Sequence, residues 1–358
     1  MQKRLFLRGA AAALAFALAF PAFADRVVVL QHQTLNLLVQ MNASDKVAGV
    51  LSSWKKNLGP QFVRFDRKLE TMPMPGDLTS VNIEAVTALK PDVVFIANYA
   101  PKDMIESLER AGLPTVAVLL RRDARDQKAL LNPTMKDEDS AYTLGLEDGI
   151  RLIADVVDRK KEGEELIRYT FEKRRLVDSR IGKLAENERV RAYMANPNLT
   201  TYGSGKYTGL MMERAGAYNV AAKTIKGFKQ VSIEEVIGWD PAVIFVQDRY
   251  PKAVKEILSD PAWAGIKAVK DKKVYLMPEY AKAWGYPMPE YAKAWGYPMP
   301  EYAKAWGYPM PEAMAIGELW MAKKLYPEKF ADIDMTKAAD DYYQRFYRVH
   351  WTADDEKQ

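Results

Sequence analysis

The chain has 358 residues, 52 Lys and Arg against 47 Asp and Glu, two histidines and no cysteine. Charge this close to balance leaves no footprint of nucleic-acid binding. The missing cysteine excludes disulfides, thiolate metal sites and thiol nucleophiles, and His32 with His350 alone cannot build a histidine metal cluster.

Residues 1–24 read as a signal peptide. Lys3, Arg4 and Arg8 are followed by an apolar run over 9–20, then Ala22-Phe23-Ala24. The run is too short to span a bilayer. Export to the periplasm is expected, with the mature chain starting at Asp25 and no cysteine to carry a lipid anchor. Removal of the leader leaves 334 residues with 49 basic against 47 acidic side chains. That length exceeds one compact core and points to two lobes.

The first lobe is expected over 25–139. Strands are predicted at 26–30, 47–51, 93–97 and 115–120, and helices at 35–42, 82–89 and 102–111. Alternation of strand and helix implies a parallel sheet. Over 140–188 charged residues dominate, apolar residues recur at helical spacing and proline is absent. One long helix, or two collinear ones, is predicted there as a stiff connector. A second lobe is expected over 189–358, with strands at 190–194, 243–246 and 274–277.

Two internal repeats stand out. Residues 83–96, IEAVTALKPDVVFI, match 233–246, IEEVIGWDPAVIFV, at six positions without a gap. Each copy reads as helix, turn and buried strand, and each carries a glutamate at the same place, Glu84 and Glu234. Two similar α/β units would suffice to explain this; a matched carboxylate on each lobe is the functional alternative. The second repeat is PEYAKAWGYPM, three times in register over 278–310. One copy would join the neighbouring elements, so 22 residues are expected to be an insertion that lengthens a loop. An aromatic array is the alternative.

Asn82-Ile-Glu84 with Leu89-Lys-Pro-Asp-Val-Val94 resembles the first-lobe signature of the periplasmic binding proteins for iron–siderophore, haem and cobalamin. Residues 202–209, YGSGKYTG, with Ala215-Gly216 and Asn219-Val-Ala221, resemble that family's second-lobe segment. Ser232-Ile-Glu234 and Tyr326-Pro-Glu-Lys-Phe330 also fit. The resemblance implies an α/β fold of two Rossmann-like lobes with parallel sheets, joined by one long α-helix, with the ligand in the cleft. It also implies that Glu84 and Glu234 meet arginines on the permease of an ABC importer.

Ligands of parallel α/β lobes sit beyond the carboxyl ends of the strands. The candidates are therefore His32, Gln33, Trp54, Lys55, Tyr99, Arg121 and Arg122 in the first lobe. In the second they are Tyr202, Lys206, Tyr207, Arg249, Tyr250, Tyr280 and Trp284. Cations favour an anionic ligand and aromatic rings give broad apolar faces. An anionic metal chelate, first of all a ferric siderophore, satisfies both; haem, corrinoid, an oxyanion and a nickel or cobalt chelate are alternatives. His32 is the candidate metal ligand, with a hydrogen bond to a chelate or a helix cap as its other readings. Residues 203–206, GSGK, lack the spacing of a phosphate loop. No nucleophile–base–orienter set is present. The expectation is a monomeric binding protein with no permanent cofactor; the competing class is a metal-chelatase-like enzyme using His32 or a carboxylate as base.

Overall fold

The computed structural model describes residues 23–122, 135–248, 250–278 and 310–351. The first lobe runs β1 (Val27–Val29), α1 (His32–Gln40), β2 (Val47–Val50), α2 (Trp54–Leu58), β3 (Gly76–Asp77) and β4 (Ser80–Val81). It continues with α3 (Ile83–Ala88), β5 (Val93–Ala97), α4 (Lys102–Arg110) and β6 (Thr115–Val118). Its main sheet has the order β2-β1-β5-β6, parallel throughout. Every residue of β1 and β5 is buried. Helices cover both faces of such a sheet, which is why these strands read as unbroken apolar runs.

Helices α5 (Glu138–Val156) and α6 (Lys160–Ile181) follow. The expectation of a single 140–188 helix, or a collinear pair, is corrected here. Asp158, at φ 53°, is left-handed and separates the two helices. Asp139 accepts from Arg174 at 2.7 Å and Glu164 accepts from Arg151 at 2.6 Å. These pairings can form only if α5 lies antiparallel along α6. The long helix that leads into the second lobe is α6, 22 residues or roughly 33 Å of rise.

The second lobe holds β7 (Val190–Ala195), β8 (Thr200–Tyr202), α7 (Tyr207–Arg214), β9 (Ala217–Asn219), β10 (Phe228–Gln230) and α8 (Ile233–Trp239). Then come β11 (Val243–Val246), α9 (Pro251–Ser259), α10 (Lys267–Lys270) and β12 (Val274–Leu276). Its parallel sheet has the order β12-β11-β7-β9. The two main sheets thus share one plan: the first strand lies between the second and the third, and the fourth flanks the third. The fourteen-residue repeat is α3–β5 in one lobe and α8–β11 in the other, each leading into the third strand. Asn82 and Ser232 cap the two helices at the same position.

The chain after 310 does not stay with the second sheet, as the division at 189 anticipates. A π-helical run, Ala313–Gly317, passes into α11 (Glu318–Leu325), and α12 (Met335–Tyr347) follows. Phe65 of the first lobe packs on Tyr343 and Tyr347, with centroids at 5.6 and 4.2 Å, and Arg64 lies over Trp351. The aromatic face of α12 is what draws it there: Tyr342, Tyr343, Phe346 and Tyr347 are all buried. Patterning along α12 announces an apolar face but not the lobe that covers it. One apolar cluster consequently runs through both lobes and the C-terminal helices.

Candidate functional site

In each main sheet the chain reverses its direction of travel at the first strand, and ligand crevices open beyond that point. In the first lobe this is the end of β1, where α1 begins at His32. All nine residues of α1 are buried, His32 and Gln33 included. Gln31 is the residue before the helix, and its amide donates to the carbonyl of Val118 at 3.3 Å. Its side-chain oxygen accepts from Thr34 at 2.5 Å. The start of α1 is thereby tied to the end of β6, three residues from Arg121. The residue at the cap position is Gln31, not His32. Among the described residues no group of three or more His, Asp or Glu side chains could hold a metal ion.

Arg121 is 3% exposed. Its backbone lies directly on α5: a Cβ on Gly145 would come within 2.3 Å of the Arg121 Cα, and one on Gly149 within 2.2 Å of the Leu120 side chain. Only glycine permits this approach. Arg122 donates its backbone N–H to Ala141 and turns the other way. Its guanidinium forms a two-pronged ion pair with Asp148, and its side chain is half exposed. Two adjacent arginines therefore have opposite fates.

The second lobe answers with Lys206, the residue before α7, 2% exposed. Tyr142 of α5 donates to the carbonyl of Gly205 at 3.3 Å and its ring meets Tyr207 edge-on at 5.7 Å. Burial, and after it the charge of Arg121, pull the Lys206 ammonium down to about 7. One face of α5, carrying Tyr142, Gly145 and Gly149, thus sets a buried cation from each lobe within electrostatic reach of the other. Two like charges in a poorly solvated place raise each other's energy. An anion between them removes that penalty.

The other candidates are placed as follows. Trp54 is buried in the core at the start of α2, and Lys55 beside it is exposed, over the Trp54 ring and near Glu70. Tyr202 is buried against Phe228, with centroids at 4.7 Å. Tyr207 points its hydroxyl at Glu318, 3.0 Å away, rather than at the strand ends. Tyr99 and Tyr250 are half-buried at the ends of their strands' loops. Arg249, Tyr280 and Trp284 lie outside the described residues, as does most of the 278–310 repeat. Tyr142 was not singled out from the sequence because it sits on a helix, not in a strand-end loop.

Glu84 and Glu234 are exposed in the first turns of α3 and α8. Glu235, next to Glu234, folds back to cap α8. The two carboxylates occupy the same topological place in the two lobes, on the helix before the third strand.

The chain matches the family described as periplasmic binding protein over residues 27–281. It is 55% identical to the molybdate-binding protein MolA of Haemophilus influenzae, over 93% of this chain and 89% of that protein. The structure of MolA bound to molybdate superposes with a TM-score of 0.81, covering 93% of this chain and 96% of that one. The Fe(3+)-citrate-binding protein YfmC of Bacillus subtilis is 22% identical over 70% of this chain and 72% of its own length. A periplasmic solute-binding protein of Veillonella parvula, 23% identical, shares the fold with a TM-score of 0.71 over 94% of this chain and 91% of that one. These relatives are binding proteins of transport systems, not enzymes, which removes the chelatase alternative. With more than half its length matched, and the two-lobed architecture in place, this chain belongs to the periplasmic binding protein family.

Proposed function

We propose that the chain captures a small oxyanion of the molybdate kind between its lobes and delivers it to an ABC permease. The observation that carries the reading is the pair Arg121 and Lys206, one buried cation from each lobe. Two positive charges match the charge of molybdate, and a buried position suits a compact anion. The name of the 55% identical relative supports the same ligand class.

The ferric-siderophore expectation rested on cations and on broad aromatic faces. The cations remain. The rings of Trp54, Tyr202 and Tyr207 are packed in the core and offer no wide wall to a bulky chelate. The support therefore lies with the oxyanion rather than with an iron complex, and with a transported ligand rather than a resident cofactor.

Isothermal titration of the mature protein with molybdate, tungstate, sulfate and a ferric siderophore tests the reading. Molybdate and tungstate should bind at one per chain. Saturable binding of the siderophore with no molybdate binding overturns it.

A further inference from the structure

The helical stretch that opens at Pro311 carries two glutamates, six residues apart, on either side of the π-helical run. Both are fully buried. They grip different lobes.

Glu312 reaches the first lobe. One carboxylate oxygen accepts from the Asn36 amide at 2.7 Å and the other from the Gln40 amide at 3.0 Å. Asn36 and Gln40 are one turn apart on α1, and His32 is one turn before them on the same face. Tyr347 donates to the Asn36 side-chain oxygen at 2.5 Å, and Tyr342 to that of Gln40 at 2.5 Å. The tyrosines therefore fix which way both amides point, and each amide presents its NH2 to Glu312. Among the described residues the carboxylate is held by neutral donors, the two amides and, at 3.1 Å, the Tyr347 hydroxyl.

Glu318 reaches the second lobe. It accepts from the Tyr207 hydroxyl at 3.0 Å and from Arg214 at 3.4 Å, the two ends of α7. Arg174 of the connecting helix lies 3.8 Å from its other oxygen. Burial pushes this carboxyl up, and the two guanidiniums oppose that push.

The helix held by Glu312 begins at His32 and is tied through Gln31 to the strand before Arg121. The helix held by Glu318 begins next to Lys206. We propose that Glu312 and Glu318 are positioning residues of one strut, which fixes the distance between the two lobes' halves of the binding crevice. The π-helical run is the natural place for such a part: the wider turn is rare and is frequently found at functional sites. A buried polar network whose members are all oriented is a device for one geometry, not a source of net stability.

The strut itself does not depend on the identity of the ligand; only its consequence for affinity rests on the oxyanion reading. The chain has no cysteine, so spin labels can be placed at will. Ala88→Cys on α3 and Ile237→Cys on α8, both at exposed positions, put one label on each lobe. The inter-label distance distribution is measured by pulsed electron resonance, with and without molybdate. Glu312→Gln turns one acceptor into a donor that faces an amide already held by a tyrosine. It should broaden the distribution in the empty protein and weaken molybdate binding at least tenfold. Tyr347→Phe, which leaves the carboxylate and both amide donors in place and removes the bond that orients Asn36 together with a 3.1 Å contact from the hydroxyl to Glu312, should broaden it less. Loss of melting temperature with an unchanged distribution in both variants is what a purely structural role gives, and it overturns the strut. If the wild-type protein ignores molybdate, the oxyanion reading fails, while the distance measurement on the empty protein still decides the strut.

Discussion

Lys206 is the residue whose chemistry is most altered by its surroundings. An ordinary lysine titrates near 10.5; this one is drawn down to about 7, by burial and then by Arg121. Between those two values the unfolded chain holds more protons than the folded one, so stability rises with pH across that window and is lost as pH falls through 7. Glu213 does the reverse. Burial, then the neighbouring Glu138, push its carboxyl from 4.5 up to about 7, so between those values stability falls as pH rises. The empty protein should therefore show a dip in melting temperature near pH 7, shallower on its alkaline side in Lys206→Met and on its acidic side in Glu213→Gln. Anion binding favours the charged lysine. Titrations at pH 8 in buffers of different ionisation enthalpy should reveal uptake of close to one proton, absent in Lys206→Met. Affinity for molybdate should fall about 10- to 100-fold in Arg121→Ala, for one charged hydrogen bond of roughly 1.5–3 kcal/mol. Arg122→Ala, which breaks only a surface pair with Asp148, should leave the affinity within a factor of two. The sequence could not tell these two arginines apart. They are neighbours in one loop, and what separates them is the docking of α5, a contact made across the fold.

At the scale of elements, α5 does the most for the site and was the least legible. Its sequence predicts a charged connector, yet the face with Tyr142, Gly145 and Gly149 positions both cations. Glycine at i and i+4 lowers helix propensity, which reads as weakness when only local terms are weighed. The structure gives the reason: the Arg121 backbone occupies the space beside Gly145, and the Leu120 side chain that beside Gly149. Gly145→Ala drives a methyl into backbone and should cost about 1–3 kcal/mol of stability and much of the anion affinity. Gly149→Ala meets only the Leu120 side chain, which can move, and should cost less. Thermal melts and titrations on the two variants check the order. Seven of the eight main-sheet strands were legible because buried parallel strands leave apolar runs; β9, three residues long, and the short strands of the two small sheets were not. The start of α1 was not: helical structure begins at His32, three residues before the predicted start, with no side-chain cap to signal it. The break at Asp158 was also hidden, since an aspartate in a charged stretch looks like any solvent-facing residue. Trp54, Tyr202 and Tyr207 sit near strand ends as predicted, but which way a ring turns depends on partners such as Phe228 and Glu318 that are distant in sequence.

The whole molecule repeats one plan, and the duplicate shows in sequence only where helix and strand must both be reproduced, at 83–96 and 233–246. Glu84 and Glu234 are exposed at matched points of that plan. If they pair with arginines of a permease, as the resemblance implies, they should matter for delivery and not for capture. Glu84→Lys with Glu234→Lys should abolish uptake in cells while molybdate affinity in the purified protein stays the same, because losing a partner buried in an interface costs about 2–5 kcal/mol. Normal uptake by the double variant, or a parallel loss of affinity, goes against that division of labour.

The return of the C-terminal segment to the first lobe has a consequence for the order of events in time. A polypeptide leaves the ribosome amino end first, at about 5–20 residues per second. Asn36 appears early; its partner Glu312 lies 276 residues behind it. Until that residue and Tyr342 and Tyr347 arrive, α1 would have to bury the Asn36 and Gln40 amides with nothing to bond to, a cost of about 1–3 kcal/mol for each unmatched group. The amino-terminal lobe should therefore wait for residues 310–351. If residues 1–24 direct the chain through a channel that accepts only unfolded polypeptide, such a delay would keep it threadable until its tail is through. A fragment of residues 25–309 should be digested rapidly by thermolysin in both lobes, and a separate peptide of residues 310–351 should restore protection.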